Sequence, residues 1–175
     1  PGWYLLSAVY DGSGGTYAAS ETTGDTANEL VFVQWPSTTT TQVSIGATEI
    51  HAGVPAITTG DTIDDVATVT GGASDGTGTL DPTSGSVNFY YCHDAATAPT
   101  SCTSGDWTLA GNDTMDNGAD PVDGEANATL SGWSPPDGPG WYLLSAVYDG
   151  SGGTYAASET TGDTANELVF VKPSV

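Results

Sequence analysis

One 33-residue segment occurs twice in this chain without a single difference. Residues Pro1–Val33 and Pro139–Val171 are identical at every position, with an offset of 138 residues. A match of that length does not arise by chance, so we predict that the chain is a window from a tandem array. Because the repeat is far longer than the units of about 20–50 residues found in solenoids, the array is predicted to be a string of compact domains.

Short apolar runs separated by turn residues indicate an all-β chain. The 24 glycines and 10 prolines would by themselves suggest disorder, but five tryptophans, eight tyrosines and recurrent apolar runs argue against it. The run Trp3–Tyr10, for example, ends in alternating apolar residues and is followed by the turn Asp11–Gly15. Short apolar segments bounded by Gly, Asp and Pro predict strands throughout.

Seven short strands are predicted for one complete domain, and they favour a two-sheet sandwich over the alternative of a closed barrel. Within the second of them, Ile63, Val66 and Val69 are predicted core positions. The predicted strands are Thr41–Ile50, Thr62–Thr70, Ser86–Cys92, Trp107–Ala110, Glu125–Leu130, Trp141–Tyr148 and Asn166–Val171.

The predicted domain boundaries follow from the repeat. Residues 1–33 are expected to be the C-terminal strand pair of a preceding repeat, since a lone hairpin is not stable in water. Residues 34–41, rich in Thr with one Pro, are predicted to be a linker. Residues 42–172 would form the complete domain, and 173–175 would begin the next linker.

The charge balance limits the partners. The chain has 22 acidic residues, one basic residue and a net charge of −21. Such a surface repels nucleic-acid phosphates and anionic membranes, and no apolar run approaches the length of a membrane span. The near absence of cations favours a halophilic protein, whose self-repulsion salt would screen, over an ordinary acidic secreted domain.

Four motifs follow one another between Val66 and Val171: Gly85, Val87 and Phe89; Gly124 and Ala126; Tyr142, Ala146, Tyr148 and Gly150; and Ala157 with Ser158. This order resembles the immunoglobulin-like tandem repeats of large bacterial and archaeal extracellular surface proteins. The resemblance implies an all-β, Ig-like sandwich of about seven antiparallel strands on a cell surface or appendage, and it says little about ligands. Many relatives have a second cysteine pair where this chain has Leu143 and Leu168, so an apolar contact is expected there.

Cys92 and Cys102 are the only cysteines in the chain. They are even in number, close in sequence and flank a loop that contains proline, so a disulfide in an oxidising, extracellular compartment is predicted. The resemblance supports this pairing, because members of the family often have a disulfide across this loop. A pair of free thiols is the alternative, and zinc is disfavoured because no second ligand pair is present.

The densest acidic stretch is Asn112–Glu125, whose carboxylates could bind calcium. The spacing does not match an EF-hand loop, and a solvated acidic loop is the favoured alternative. No cofactor is predicted to be required. The candidate calcium ligands are Asp113, Asp116, Asp120, Asp123 and Glu125.

Two glycosylation sequons begin at Asn112 and Asn127. Asn127 is expected to face solvent if its neighbours Ala126 and Ala128 face inward, because successive strand residues point to opposite faces.

No catalytic motif is present, and the two histidines are isolated, so an enzyme is not predicted. The five tryptophans could line a sugar site but are more often found capping a sandwich core. We predict a structural repeat unit of an extracellular fibre, stalk or surface filament, with neighbouring copies of the same repeat as partners. The alternative is an adhesin module that binds a glycan or a surface protein through its loops.

Overall fold

The computed structural model describes residues 2–11, 18–22, 27–71, 85–116, 125–150, 154–160 and 163–174. No helix occurs in these ranges, and the strands pair mainly in antiparallel sheets. The predicted all-β class is therefore confirmed.

The first copy of the repeated segment, residues 1–33, forms a hairpin of its own. Its strands are β1 (Gly2–Leu5), β2 (Val9–Tyr10), β3 (Ser20–Glu21) and β4 (Leu30–Val33). In the ladders of the described residues, β1 pairs with β4 and β2 pairs with β3, each as a separate two-stranded sheet.

The remaining strands build a sandwich. One sheet has the order β10-β9-β12-β14-β7, with β13 beside β12, and the other has the order β11-β8-β5-β6. The pairings are antiparallel except between β14 and β7. The strands are β5 (Ser37–Ile45), β6 (Thr48–Glu49), β7 (Ile57–Thr58), β8 (Ile63–Gly71), β9 (Ser86–Asp94), β10 (Thr108–Thr114), β11 (Glu125–Trp133), β12 (Gly140–Tyr148), β13 (Ser158–Glu159) and β14 (Leu168–Lys172).

The core lies between the two sheets and is filled by alternate residues of each strand, as the pleat requires. In β8 the buried residues are Ile63, Asp65, Ala67 and Val69, whereas Val66 is only half-buried. The expectation that Val66 is a core residue is therefore wrong, because it followed a spacing of three where a strand has a period of two. Large buried members from the other strands include Val43, Phe89, Tyr142, Leu144 and Tyr148.

The domain starts earlier than its predicted boundary. β5 begins at Ser37, and the threonines Thr39 and Thr41 point into the sandwich. The predicted linker 34–41 is thus corrected to a strand from Ser37 onward, because threonine is β-branched and suits a half-buried strand. Trp35 is also bound to the domain, since its backbone N–H donates a hydrogen bond to the carbonyl of Thr154 at 2.8 Å.

A second apolar cluster lies on the outer face of the larger sheet. Leu143 and Leu168 are directly opposite each other on β12 and β14, and both are buried there beside Cys92. The apolar contact expected at this position is present. Trp107 and Trp141 pack over the same cluster.

Candidate functional site

The two copies of the repeated segment have the same hydrogen-bonded structure. Gly2 pairs with Val33 as Gly140 pairs with Val171, and the rest of the two registers match in the same way. In the first copy the N–H of Ala8 donates to Thr22 Oγ1 at 2.9 Å. In the second copy the equivalent bond, from Ala146 N–H to Thr160 Oγ1, is also 2.9 Å long. The hairpin therefore has one backbone arrangement in both places.

The surroundings of the two copies are opposite. Side chains that are buried in the second copy are exposed in the first, as the relative accessibilities of three pairs show: Tyr4 51% and Tyr142 0%, Leu6 58% and Leu144 0%, Val31 43% and Val169 0%. The same contrast holds for Leu5, Tyr10, Leu30 and Val33. We call Tyr4, Leu6, Tyr10, Val31 and Val33 the open face of the first copy, because their counterparts all face the core between the sheets. Leu5 and Leu30 lie on the opposite face of the hairpin, as Leu143 and Leu168 do in the second copy.

Gly2 and Gly140 show the contrast at the backbone. Their φ angles are +141° and +146°, a region that side-chain-bearing residues rarely adopt. A methyl group on Gly140 would lie 2.5 Å from His93 Nε2 and 2.8 Å from the carbonyl oxygen of Asp94, whereas one on Gly2 would meet nothing within 4 Å. The first copy thus has the backbone conformation of the second copy but lacks the close contacts that surround it there.

The second copy is covered by the domain body, which we define as residues 35–138. Along its edge, β12 pairs with β9 over its whole length, from Trp141 opposite Asp94 to Tyr148 opposite Val87. Its inner face meets the smaller sheet, and the hydroxyl of Tyr142 donates to the carbonyl of Gly138 at 2.9 Å. The body therefore supplies both a strand edge and an apolar surface to the hairpin.

Two acidic side chains are buried where the hairpin meets the body. Asp65 of β8 and Glu167, just before β14, are each 0% exposed. Glu167 Oε1 accepts hydrogen bonds from Thr160 Oγ1 at 2.8 Å and from Thr41 Oγ1. Both carboxylate oxygens of Asp65 and Oε2 of Glu167 have no hydrogen-bond partner. We call Asp65 and Glu167 the buried carboxyl pair.

Burial shifts the protonation of this pair. Loss of water raises the pKa of Glu167 to about 7, and the nearby charge of Asp163 adds to the rise, while the bonds from Thr41 and Thr160 oppose it. Desolvation, followed by the charge of Glu167, raises the pKa of Asp65 well above its ordinary range. The pair therefore favours a state with less negative charge than two free carboxylates.

Neither residue of this pair was predicted as a site residue, although the sequence holds a signal for both. With a period of two, Ile63, Ala67 and Val69 place Asp65 on the buried face of β8. The same alternation, run backward from Val171 and Val169, places Glu167 inside.

The predicted calcium ligands are only partly covered by the described residues. Asp113 is half-buried, and its carboxylate accepts from the backbone N–H of Thr129 at 2.9 Å. Asp116 forms a backbone bridge with Asn127. Asp120 and Asp123 lie outside the described residues, and Glu125 is described only by its pairing in β11. Across the ranges given above, no group of three or more His, Cys, Asp or Glu side chains could hold a metal ion.

The sequon asparagines are both on exposed strand positions. Asn112 lies on β10 and Asn127 on β11. Asn127 faces outward between the buried Ala126 and Ala128, as expected from the alternation. Its Oδ1 accepts a hydrogen bond from Thr68 Oγ1 at 2.9 Å.

A groove of about 410 Å³ lies on the outer face of the larger sheet, and its lining includes Tyr90, Trp107 and Glu159. Cys102 forms one side of it and is joined to Cys92 by a disulfide, with Cα atoms 6.5 Å apart. The predicted disulfide is therefore confirmed.

Reduction of this disulfide is expected to lower the free energy of unfolding by about 2–3 kcal/mol, because the bond closes a short loop. Urea unfolding of the oxidised protein and of the Cys92→Ser/Cys102→Ser double variant measures the difference. Equal midpoints for the two proteins would contradict the expectation.

Comparison with protein-family models and with curated proteins finds no match to this sequence. Within the described ranges, no helix has the length and apolar character needed to cross a bilayer.

Proposed function

We propose that this chain is a structural repeat segment of an extracellular fibre, stalk or surface filament, in which each domain is closed by a hairpin of the 1–33 type. The observation that carries the proposal is the contrast between two identical hairpins. One has its apolar residues buried by the domain body, and the other has the same residues on an open face. The partner that fits this face is a second domain body with the sequence character of residues 35–138.

The grouping of exposed apolar side chains on the open face supports the proposal. Exposed apolar residues scattered singly are normal on a protein surface, but a contiguous patch indicates an interaction surface. Here the partner surface can be described, because the second copy shows how the same side chains pack. It consists of an edge like that of β9 and an inner sheet face like that of β8 and β5.

The first copy cannot pack on the body of its own chain in the way that the second copy does, as long as the strands of the domain keep their register. Val171, the counterpart of Val33, lies opposite Gly140 at one end of β12. Trp35 bridges to Tyr155, at the other end of that strand. Nine strand residues span about 27 Å, and the two residues from Val33 to Trp35 reach at most about 7 Å. The partner body is therefore a preceding repeat or a second chain.

The strand order supports the immunoglobulin-like part of the proposal. In the constant-type domain the first, second, fourth and fifth main strands share one sheet, and the third, sixth and seventh share the other. Here β5, β8 and β11 share one sheet and β9, β12 and β14 share the other, but the fourth main strand, β10, joins the second sheet beside β9. The disulfide favours an oxidising compartment, and the charge of −21 favours a saline one.

A lengthened chain tests the proposal directly. An extra copy of residues 34–138 is joined ahead of Pro1, so that the first copy has a body before it. We expect the amides of β1 and β4 to become as protected from hydrogen exchange as those of β12 and β14, because exchange from packed strands requires unfolding of the domain. Unchanged rapid exchange in β1 and β4 would contradict the proposal.

Leu6→Asp provides the matched control for this experiment. In the lengthened chain it should remove the new protection of β1 and β4, because Leu6 would occupy the buried position of Leu144. In the 175-residue chain the same substitution should leave the exchange of β12 and β14 unchanged. Equal effects in the two chains would mean that the added body does not cover the hairpin.

A further inference from the structure

The buried carboxyl pair lacks the partners that buried charges normally have. Carboxylates in protein interiors are usually paired with a cation, bound to a metal or fully hydrogen-bonded. Neither carboxylate oxygen of Asp65 has a hydrogen-bond partner, and Oε2 of Glu167 is likewise without one. Three carboxylate oxygens are therefore buried together without a donor.

The geometry places further oxygen atoms beside these three. Val43 is opposite Asp65, and Thr41 is opposite Ala67 on the neighbouring strand, so Thr41 and Asp65 are diagonal neighbours on the inward face. Thr41 Oγ1 and Thr160 Oγ1 both contact the carboxylate of Glu167. Two carboxylates and two hydroxyls are thus buried in one region of the interior.

We propose that Asp65, Glu167, Thr41 and Thr160 form a binding site for a divalent cation of the calcium type. Calcium binds carboxylate and other oxygen ligands in flexible geometry, and one such ion would neutralise both buried charges. Protonation of both carboxyls would also remove the charges, but it would still leave carboxyl oxygens of the pair without a donor.

The site is divided between two segments of the chain. Thr41 and Asp65 belong to the domain body, and Thr160 and Glu167 belong to the second copy of the hairpin. A bound cation would therefore stabilise the packing of hairpin against body. This inference does not rest on the proposed function, because all four residues lie in the complete domain.

The first copy contains the hairpin half of the same site. Thr22 and Glu29 correspond to Thr160 and Glu167, but no residue of the Asp65 type is described beside them. Glu29→Gln is therefore a matched control for Glu167→Gln, since it removes the same charge from the same local sequence.

Thermal unfolding of the 175-residue protein at pH 8 and constant ionic strength tests the site. Calcium at about 100 times its dissociation constant is expected to raise the Tm by about 5–10 °C relative to chelator. Asp65→Asn and Glu167→Gln should abolish the rise, while Glu29→Gln should keep it. At pH 5 the rise should be much smaller, because protons compete for the carboxylates.

Two kinds of result would overturn the proposal. If calcium leaves the Tm of the wild-type protein unchanged at pH 8, the pair holds protons and no cation. If both pair variants keep the full calcium effect, the ion binds elsewhere, for example in the acidic loop after Asn112. Calorimetric titration of the wild type with calcium at pH 8 and pH 5 gives a readout that does not depend on any variant. We expect a heat of binding at pH 8 that becomes weaker at pH 5. The absence of any heat of binding at pH 8 would overturn the site.

Discussion

Replacing Tyr142 with alanine is expected to lower the free energy of unfolding by about 4 kcal/mol, because truncating a buried aromatic side chain removes apolar contacts and leaves a cavity. The ring of Tyr142 is 0% exposed, and its centroid lies 5.8 Å from that of Tyr91 and 5.9 Å from that of Trp133. The substitution also removes the hydrogen bond to the carbonyl of Gly138. Urea unfolding followed by tryptophan fluorescence measures the loss.

The chain contains the control for this experiment. Tyr4 has the same sequence neighbours as Tyr142 and the same pairing within the hairpin, but it is 51% exposed. Tyr4→Ala is expected to change the free energy of unfolding by less than about 0.5 kcal/mol, as is usual for exposed positions. If the two substitutions cost the same in the 175-residue protein, the first copy is buried in solution and its open face does not exist.

The stability of the calcium-free protein is expected to fall as the pH rises from 5 to 8. The pKa of Glu167 is raised from its ordinary value of 4.5 to about 7, so the folded state binds more protons than the unfolded state in this window. The resulting stabilisation is complete below the unfolded pKa and is lost as the pH rises through the folded value. From 4.5 to about 7 this linkage amounts to about 3 kcal/mol, and the raised pKa of Asp65 acts in the same direction.

Thermal unfolding in chelator at several pH values measures this slope. Glu167→Gln should make the slope shallower, with the remainder due to Asp65, and Glu29→Gln should leave it as in the wild type. The lowered pKa of Asp61, caused by hydrogen bonds from Thr58, acts in the opposite direction at pH values below 4 and does not overlap the window. A wild-type Tm that is constant from pH 5 to pH 8 would contradict the raised pKa of Glu167.

Much of the fold could be predicted from local patterns in the sequence. The run Ser86–Cys92 alternates apolar and polar residues, and it forms most of β9 with Val87, Phe89 and Tyr91 facing the core. The cysteine pair was also predictable, because only one pairing exists and the two residues flank a short loop. These features depend on a few neighbouring residues, so one sequence suffices to identify them.

Features that depend on tertiary packing were predicted less well. The Thr-rich stretch after Trp35 resembles a linker in sequence, but it forms a strand because it pairs with the edge of β8 from Gly71 back to Asp64. Asp65 and Glu167 are far apart in sequence, and only the packing of hairpin on body brings them together. Charged residues in an acidic chain are expected on the surface, so their burial was not anticipated from composition.

The opposite positions of Trp35 and Lys172 determine how a pulling force would act on the domain. The polypeptide enters near Tyr155 at one end of β12 and leaves beside Thr58, past the other end of that strand. Tension applied through these two points is directed along the strands and not across them. The hydrogen bonds that join β14 to β12 and β7 are then loaded together in shear, so that they must break as a group and do not open one at a time. A domain held in this way extends little under load until a whole strand is released.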